Sequence, residues 1–339
     1  MRVLAAPDKF KGSATAHEVA AAIGHACWEL GVDCVEIPMA DGGDGLLDVL
    51  GGVNRRTTVT GPLGDPVEAG WRLSAGTAVI EMARASGLVV AGGIEGNDPL
   101  DATTTGTGEL IDHALDAGAR RIIVGLGGSA TTDGGFGAIR AITAIARITQ
   151  VELLVACDVT TRFRDAARDF GPQKGATAAQ VEFLTRRLDR LAQMFADDFD
   201  VDVTEVPGGG AAGGLGGALA ALGGRLVPGF ELVADELDLF DHLDADDPDR
   251  VELVITGEGH LDRSSFDGKV VGGIAGLAGD AGIAAAAIVG AAAPGIVESA
   301  TSLAEVAVLS DLYGPQASLE RPKEMIERAA TAIVDAAMR

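Results

Sequence analysis

"RVLAAPDKFKGSATAHEVAAAIGHACWELGVDCVEIPMADGGDG", residues 2–45, decides the fold class. Arg2–Pro7 is a short apolar run, read as a strand, and Asp8–Ser13 is a loop rich in lysine and small residues. A helix is predicted from about Ala16 to Leu30, and "DCVEIPMA" forms a second strand that runs into Asp41. Strand, glycine-bearing loop and helix in that order predict parallel βαβ units, an α/β fold. The functional loops of such sheets lie at the carboxyl ends of the strands, where Asp8 and Asp41 both fall.

Outward from this unit the pattern changes. Residues 57–82 alternate polar and apolar side chains between Gly/Pro turns, which predicts an antiparallel meander. A helix over about 106–117, the apolar run "RRIIVG", a helix over about 135–148 and the strand "VELLVACD" follow. Val181, Leu184, Leu188 and Leu191 recur at helical spacing within 176–197. "PGGGAAGGLGGALAALGG", 207–224, reads as a glycine loop opening a helix, and the acidic stretch 234–250 as a solvated helix and loop. "RVELVITGEG" is a buried strand, and helix–strand alternation returns from about residue 270 to the end.

A chain of 339 residues is long enough for two domains with proper cores. Its 48 glycines are about twice the roughly 7% of average proteins, which implies many tight turns and close backbone approaches. A net charge of −24 argues against a nucleic-acid or anionic-membrane partner, since phosphate backbones are bound by clustered cations. Cys27, Cys34 and Cys157 are odd in number and lack metal spacing, so they read as reduced thiols of a cytoplasmic protein. The chain has only five lysines, and four of them lie in glycine-bearing motifs: Lys9 and Lys11 in "DKFKGS", Lys174 in "GPQKGAT" and Lys269 in "DGKVVGG". That clustering places them near an anionic ligand.

"LGGSATTDGGFG", 126–137, follows an apolar strand and offers small residues whose backbone N–H groups and hydroxyls can reach phosphate oxygens. Gly125-x-Gly127-x-x-Ala130 fits a dinucleotide fingerprint, but position 150, where an acidic residue would stand, is Gln. Asp133 beside a phosphate calls for a divalent cation, and Mg²⁺ favours carboxylate and phosphate oxygens. Four other strand ends carry carboxylates: Asp8, Asp41 with Asp44, Asp158, and Glu258 with Asp262. Such groups can orient or deprotonate a hydroxyl, while lysines meet charge developing on a transferred phosphoryl group.

"APDKFKGSATAHEVA", "IPMADGGDG", "LGGSATTDGG", "ACDV", "FGPQKGAT" and "ITGEGHLD", in this order, resemble the signature segments of the bacterial glycerate kinase family (glycerate kinase type I). The resemblance implies ATP-dependent phosphorylation of D-glycerate to 2- or 3-phosphoglycerate, with ATP and Mg²⁺. It also implies two domains: a discontinuous flavodoxin-like parallel-sheet domain, 1–60 and 271–339, and an inserted mixed α/β domain, 61–270, with the site in the cleft between them. Residues 159–163 depart from the family's pattern after the aspartate, and the segment 140–150 is shorter than in relatives.

On this reading the ATP phosphates lie against Gly127, Gly128, Ser129, Thr131, Gly134 and Gly135, helped by Lys174 and Lys269. Mg²⁺ is expected on one or more of Asp133, Asp158 and Glu258. Asp41 or Asp8 would act as base or orienter, and Lys11 would stabilise transferred charge. A dinucleotide-dependent oxidoreductase of a small hydroxy acid is the alternative.

Overall fold

A computed structural model of the chain describes residues 1–143, 145–244 and 250–339. Its strands in chain order are β1 (Arg2–Ala5), β2 (Asp33–Glu36), β3 (Arg55–Thr60), β4 (Pro66–Ser74), β5 (Thr77–Glu81), β6 (Arg121–Gly125), β7 (Glu152–Ala156), β8 (Arg225–Val227), β9 (Leu253–Leu261), β10 (Ala284–Ala292) and β11 (Glu305–Val308). The described residues divide into two compact units: Met1–Asp41 with Phe230–Arg339, and Gly42–Gly229.

Unit 1 holds a five-stranded sheet in the order β11-β10-β9-β1-β2, with every pairing parallel. Counted within the unit this is the 2-1-3-4-5 order of flavodoxin-like folds: the opening segment predicts the parallel pairing, and the flavodoxin-like fold is what the family resemblance implies. Val3, Ala5, Ile255 and Ile288 share one buried cluster with Ile23, Ile326 and Ile333 of the helices Ala16–Glu29 and Pro322–Ala337. Leu4, Val254, Ala287 and Val289 are equally buried but outside that cluster. Both faces of the sheet are therefore covered, which is why its strands read as continuous apolar runs rather than alternating ones. The helix Ala16–Glu29 starts where Thr15 and Glu18 exchange capping hydrogen bonds, so "SATAHE" sets the length of the loop that carries Lys9 and Lys11.

Unit 2 holds a six-stranded sheet in the order β3-β4-β5-β6-β7-β8. β3 to β5 form the expected antiparallel meander, and β5 to β8 are parallel. Trp71, Ile80, Ile122 and Val124 pack with Leu110, Leu115, Leu215 and Leu219. The helix Ala178–Phe199 buries Leu184, Leu188, Ala192 and Phe195 in a separate cluster around Phe163.

The crossings differ from the expected boundaries at 60/61 and 270/271. β9 pairs with both β1 and β10, so residues 253–261 belong to the first sheet. Gly42–Thr60 belongs to unit 2, where Glu81 Oε1 accepts from the backbone N–H groups of Gly45 (3.0 Å) and Leu47 (2.9 Å). The helix expected over 135–148 is two pieces, Phe136–Ala141 and Ile145–Ile148. Between them the Thr143 N–H turns to Asp112 Oδ1 at 3.0 Å. The acidic stretch 234–250 begins in the last turn of the helix Gly229–Glu236 and continues through the short 3-10 helix Leu239–Leu243, and 245–249 lies outside the described residues.

Candidate active site

Two groups of polar residues stand at strand ends, one in each unit. In unit 1, β1 and β9 are neighbours, and their connections leave the sheet in opposite directions, β1 toward β2 and β9 toward β10. This is the topological switch point of the sheet, the place where such folds bind ligands. Asp8 follows β1 and Glu258 lies in the carboxyl-terminal half of β9. The Asp8 N–H donates to Gly257 O at 2.8 Å, which fixes Asp8 beside the residue preceding Glu258.

Asp8 Oδ1 accepts from the Lys9 N–H at 2.6 Å, with Lys9 Nζ at 3.6 Å. Burial raises the Asp8 pKa to about 6, Lys9 opposes the rise and the charge of Asp41 adds to it. Burial also raises Glu258, to about 7; a hydrogen bond with Ser265 and the charge of Lys269 oppose this, while Asp8 and Asp262 add to it. Glu258 Oε1 is buried and has no hydrogen-bond partner. An orphaned carboxylate oxygen costs free energy until a proton, a cation or a ligand hydroxyl satisfies it.

The remaining unit 1 residues surround this pair. Lys11 is exposed on the turn after Asp8, and Lys269 precedes the helix Val270–Asp280 as its half-buried N-cap residue. Asp262 is taken up locally: its Oδ1 accepts from Ser264 N and Oγ, both at 2.7 Å. Gly259 lies against the Phe10–Lys11 backbone, where a Cβ would stand 3.1 Å from Lys11 N, so the lysine loop sits directly over β9.

In unit 2 the loop 126–135 divides into two halves with different roles. Its first half is open only at two glycines: Gly128 is exposed and Gly127 half-buried, whereas Ser129 beside them is buried and pairs with Gly87. Its second half is buried scaffold. Thr131 is fully buried and its hydroxyl donates to Ala212 O at 3.3 Å. Gly134 N–H donates to Gly213 O at 2.9 Å, and a Cβ on Gly135 would come within 2.3 Å of Ala218 Cβ. Thr131, Gly134 and Gly135, expected against phosphate, instead serve helix–loop packing.

Asp133 is likewise a scaffold residue. Its Oδ2 accepts from Thr104 N–H and Oγ1, both at 2.8 Å, and from Gly137 N–H at 3.1 Å, while Oδ1 accepts from Gly135 N–H at 3.1 Å. A carboxylate whose oxygens are filled by donors has little left for a cation, so the expected metal role does not fit Asp133. Asp158, exposed at the end of β7, accepts from Gly229 N–H at 3.2 Å. Among the described residues the group with ligand atoms close enough to hold an ion is His25, Glu29 and Glu327, on helices of unit 1, and none of Asp133, Asp158 and Glu258 belongs to it.

Lys174, expected to touch phosphate, is only 4% exposed. Its Nζ donates to Ser129 Oγ and to Thr131 O, both at 2.7 Å, and lies over the Phe170 ring at 5.9 Å. Burial lowers its pKa to about 7, against the charge of Asp133, which raises it. Sequence reasoning missed Asn97, whose Nδ2 donates to Ala130 O (3.1 Å) and Lys174 O (2.9 Å), and Thr104. Both lie in "NDPLDATTTG", a polar run between helices that carries no glycine-loop signature.

The profile of the glycerate kinase family matches residues 3–147 and 142–338. The chain belongs to the glycerate kinase family. It is 41% identical over 318 residues to a glycerate 2-kinase of Escherichia coli K12, covering 82% of each chain. It is 39% identical over 334 residues to a glycerate kinase of Halalkalibacterium halodurans, covering 86% of each. A crystal structure from Salmonella typhimurium LT2, named for glycerate kinase 2, superposes with a TM-score of 0.82 at 36% identity over 100% of both chains. The oxidoreductase alternative finds no support. In this family member the stretch after Gly125 runs ten residues before its helix starts at Phe136 and so does not form a dinucleotide turn.

Proposed function

We propose that the chain transfers the γ-phosphoryl group of ATP to a hydroxyl of D-glycerate, giving 2- or 3-phosphoglycerate. The observation that carries this reading is the pair Asp8 and Glu258 at the switch point of the unit 1 sheet, both with proton affinities raised by burial toward neutrality. A carboxylate poised near the operating pH is the group suited to take a hydroxyl proton. Asp8 accepts that proton and Asp41, whose charge Asp8 already feels, orients the substrate. Lys11 and Lys269 meet the carboxylate of glycerate and the charge that develops during transfer.

The ATP phosphates take the open half of the unit 2 loop: the Gly127 and Gly128 backbone and the Ser129 hydroxyl. Because Lys174 donates to Ser129 Oγ, the serine's own proton is left to donate to a phosphate oxygen. Mg²⁺, when bound, would neutralise charge on the nucleotide phosphates. In unit 1 Glu258 fits it through the unpartnered Oε1, and in unit 2 Asp158 is an exposed carboxylate at the end of β7. The three free cysteines and the acidic surface support a cytoplasmic setting for this reaction, and no helix among the described residues is long and apolar enough to cross a membrane.

The test is a coupled assay of ADP formation with ATP, Mg²⁺ and D-glycerate, with NAD(P) in place of ATP as the comparison. The reading predicts glycerate-dependent ADP formation and no NAD(P) reduction. Reduction without ADP formation would overturn it, and separation of the two phosphoglycerates identifies the hydroxyl used.

A further inference from the structure

We propose that a groove along the helix Ala178–Phe199 of unit 2 binds a nucleoside phosphate. The groove encloses about 540 Å³ and is lined by Phe183, Arg186, Arg187, Arg190 and Met194, with Phe136 as its opposite wall. The helical residues recur at i, i+3, i+4, i+7 and i+11, a row beside the one that buries Leu184, Leu188 and Phe195. Its volume falls in the range of small-molecule sites.

Its charge is the unexpected feature. The chain carries −24, yet three arginines face this one groove. Arg187 is held, its Nη1 donating to Leu100 O at 2.9 Å and its guanidinium lying 5.2 Å from the Phe183 ring centroid. Arg186 and Arg190 are exposed, four residues apart, and have no carboxylate partner among the described residues. Asp189, between them in sequence, pairs with Arg164 at 3.1 Å. Like charges at this helical spacing repel by a few tenths of a kcal/mol. A bound anion would reverse that cost, and a pair of guanidinium forks is suited to phosphate.

The rest of the lining selects a flat apolar body joined to the anion. Phe183 is 46% exposed, and Arg140 lies 5.6 Å from the Phe136 ring centroid. Each ring thus offers a face or edge beside a cation, the pairing on which bases stack. An acidic protein surface would meet the arginines but would not use a concave, ring-lined cavity of this size. Phe136 directly follows the loop 126–135, and the groove shares none of Gly127, Gly128 and Ser129. The nucleoside phosphate is therefore either the adenosine end of ATP or a separate nucleotide. Only that choice rests on the proposed kinase activity.

The test is equilibrium dialysis of AMP against the full chain, with inorganic phosphate as competitor and with the Arg186→Ala/Arg190→Ala and Phe183→Ala variants. Wild-type chain is expected to bind AMP, the arginine double variant at least tenfold more weakly, and Phe183→Ala to lose preference for AMP over phosphate. Unchanged AMP binding in the double variant, or no AMP binding by wild type, would overturn the proposal. So would a wild-type dimer that the double variant converts to monomer without any AMP binding, which would assign the groove to a second copy. If AMP binds as expected, inhibition competitive with ATP identifies the substrate's adenosine end, and binding unaffected by ATP identifies a separate nucleotide. Because dialysis needs no turnover, an inactive chain that still binds AMP through Arg186 and Arg190 would sink the kinase reading and leave this one standing.

Discussion

Lys174 Nζ lies 2.7 Å from Ser129 Oγ, and this bond joins a buried ammonium to the buried hydroxyl that directly follows the exposed Gly128. On the proposed reading Lys174, with its ammonium buried and bonded to Ser129 Oγ and Thr131 O, acts on the phosphate site through Ser129. Lys174→Met is therefore expected to raise KM for ATP about tenfold, a loss of ~1.4 kcal/mol, with a smaller change in kcat. Steady-state kinetics with ATP varied at saturating D-glycerate would show it, and an unchanged KM would remove Lys174 from the site's support.

The same lysine sets a pH dependence of stability. Its pKa is about 7 in the folded chain against 10.5 for an ordinary lysine, so above pH 7 the unfolded chain holds a proton that the folded chain has released. Unfolding free energy then rises with pH between about 7 and 10.5, and Lys174→Met should flatten that rise. Denaturant melts across this range provide the comparison, and a rise of equal slope in the variant would contradict the assignment.

Asp8 and Glu258 behave in the opposite sense. Both pKa values are raised, so the folded chain holds protons that the unfolded chain has released, and stability falls as pH climbs from about 4 to 7. Glu258→Gln removes a buried charge and should stabilise the chain at pH 8 by about 1–2 kcal/mol, while turnover falls by a hundredfold or more. In wild type kcat/KM should rise through pH 6–7 as these carboxyls ionise, and Asp8→Asn should abolish activity along with that limb. Loss of activity without gain of stability in Glu258→Gln would mean that Oε1 is satisfied in the folded chain after all.

These expectations show what one sequence exposes. Asp8 and Glu258 were legible because each closes an apolar run, and a parallel sheet puts strand ends at its working edge. That the two are neighbours was not, since it depends on β9, some 250 residues after β1, pairing beside it. The same long-range pairing moved the second domain crossing from 270/271 to 229/230. Asp133 reads differently in the structure for a related reason: two of the four donors that meet it, the Thr104 N–H and hydroxyl, arrive from 29 residues upstream. Lys174 was legible as a lysine near the glycine loop but not as a buried one, because nothing in "GPQKGAT" announces the Phe170 ring and the Ser129 hydroxyl that enclose its ammonium.

Asp133→Asn should then behave as a scaffold variant. An amide in its place offers one oxygen instead of two and turns a donor toward the N–H groups that the carboxylate accepts. A loss of about 2–3 kcal/mol in stability is expected, with the Mg²⁺ concentration for half-maximal activity unchanged. A variant of normal stability whose Mg²⁺ requirement climbs steeply would restore Asp133 as a ligand.

Two glycines of the same loop give the sharpest contrast. Gly135 and Gly128 both adopt positive φ, +73° and +74°, so alanine at either position costs about 1 kcal/mol in backbone strain. At Gly135 the added methyl also meets Ala218 Cβ at 2.3 Å inside the packed helix–loop contact, whereas at Gly128 it stands 3.1 Å from Ala83 Cβ at an exposed position. Gly135→Ala should therefore lose about 3 kcal/mol or more of stability, with KM for ATP little changed in the fraction that folds. Gly128→Ala should lose about 1 kcal/mol and raise KM for ATP severalfold, because its methyl intrudes where the phosphates are placed. Thermal melts paired with ATP titrations separate the two effects, and the opposite ordering would transfer the phosphate site to the buried half of the loop.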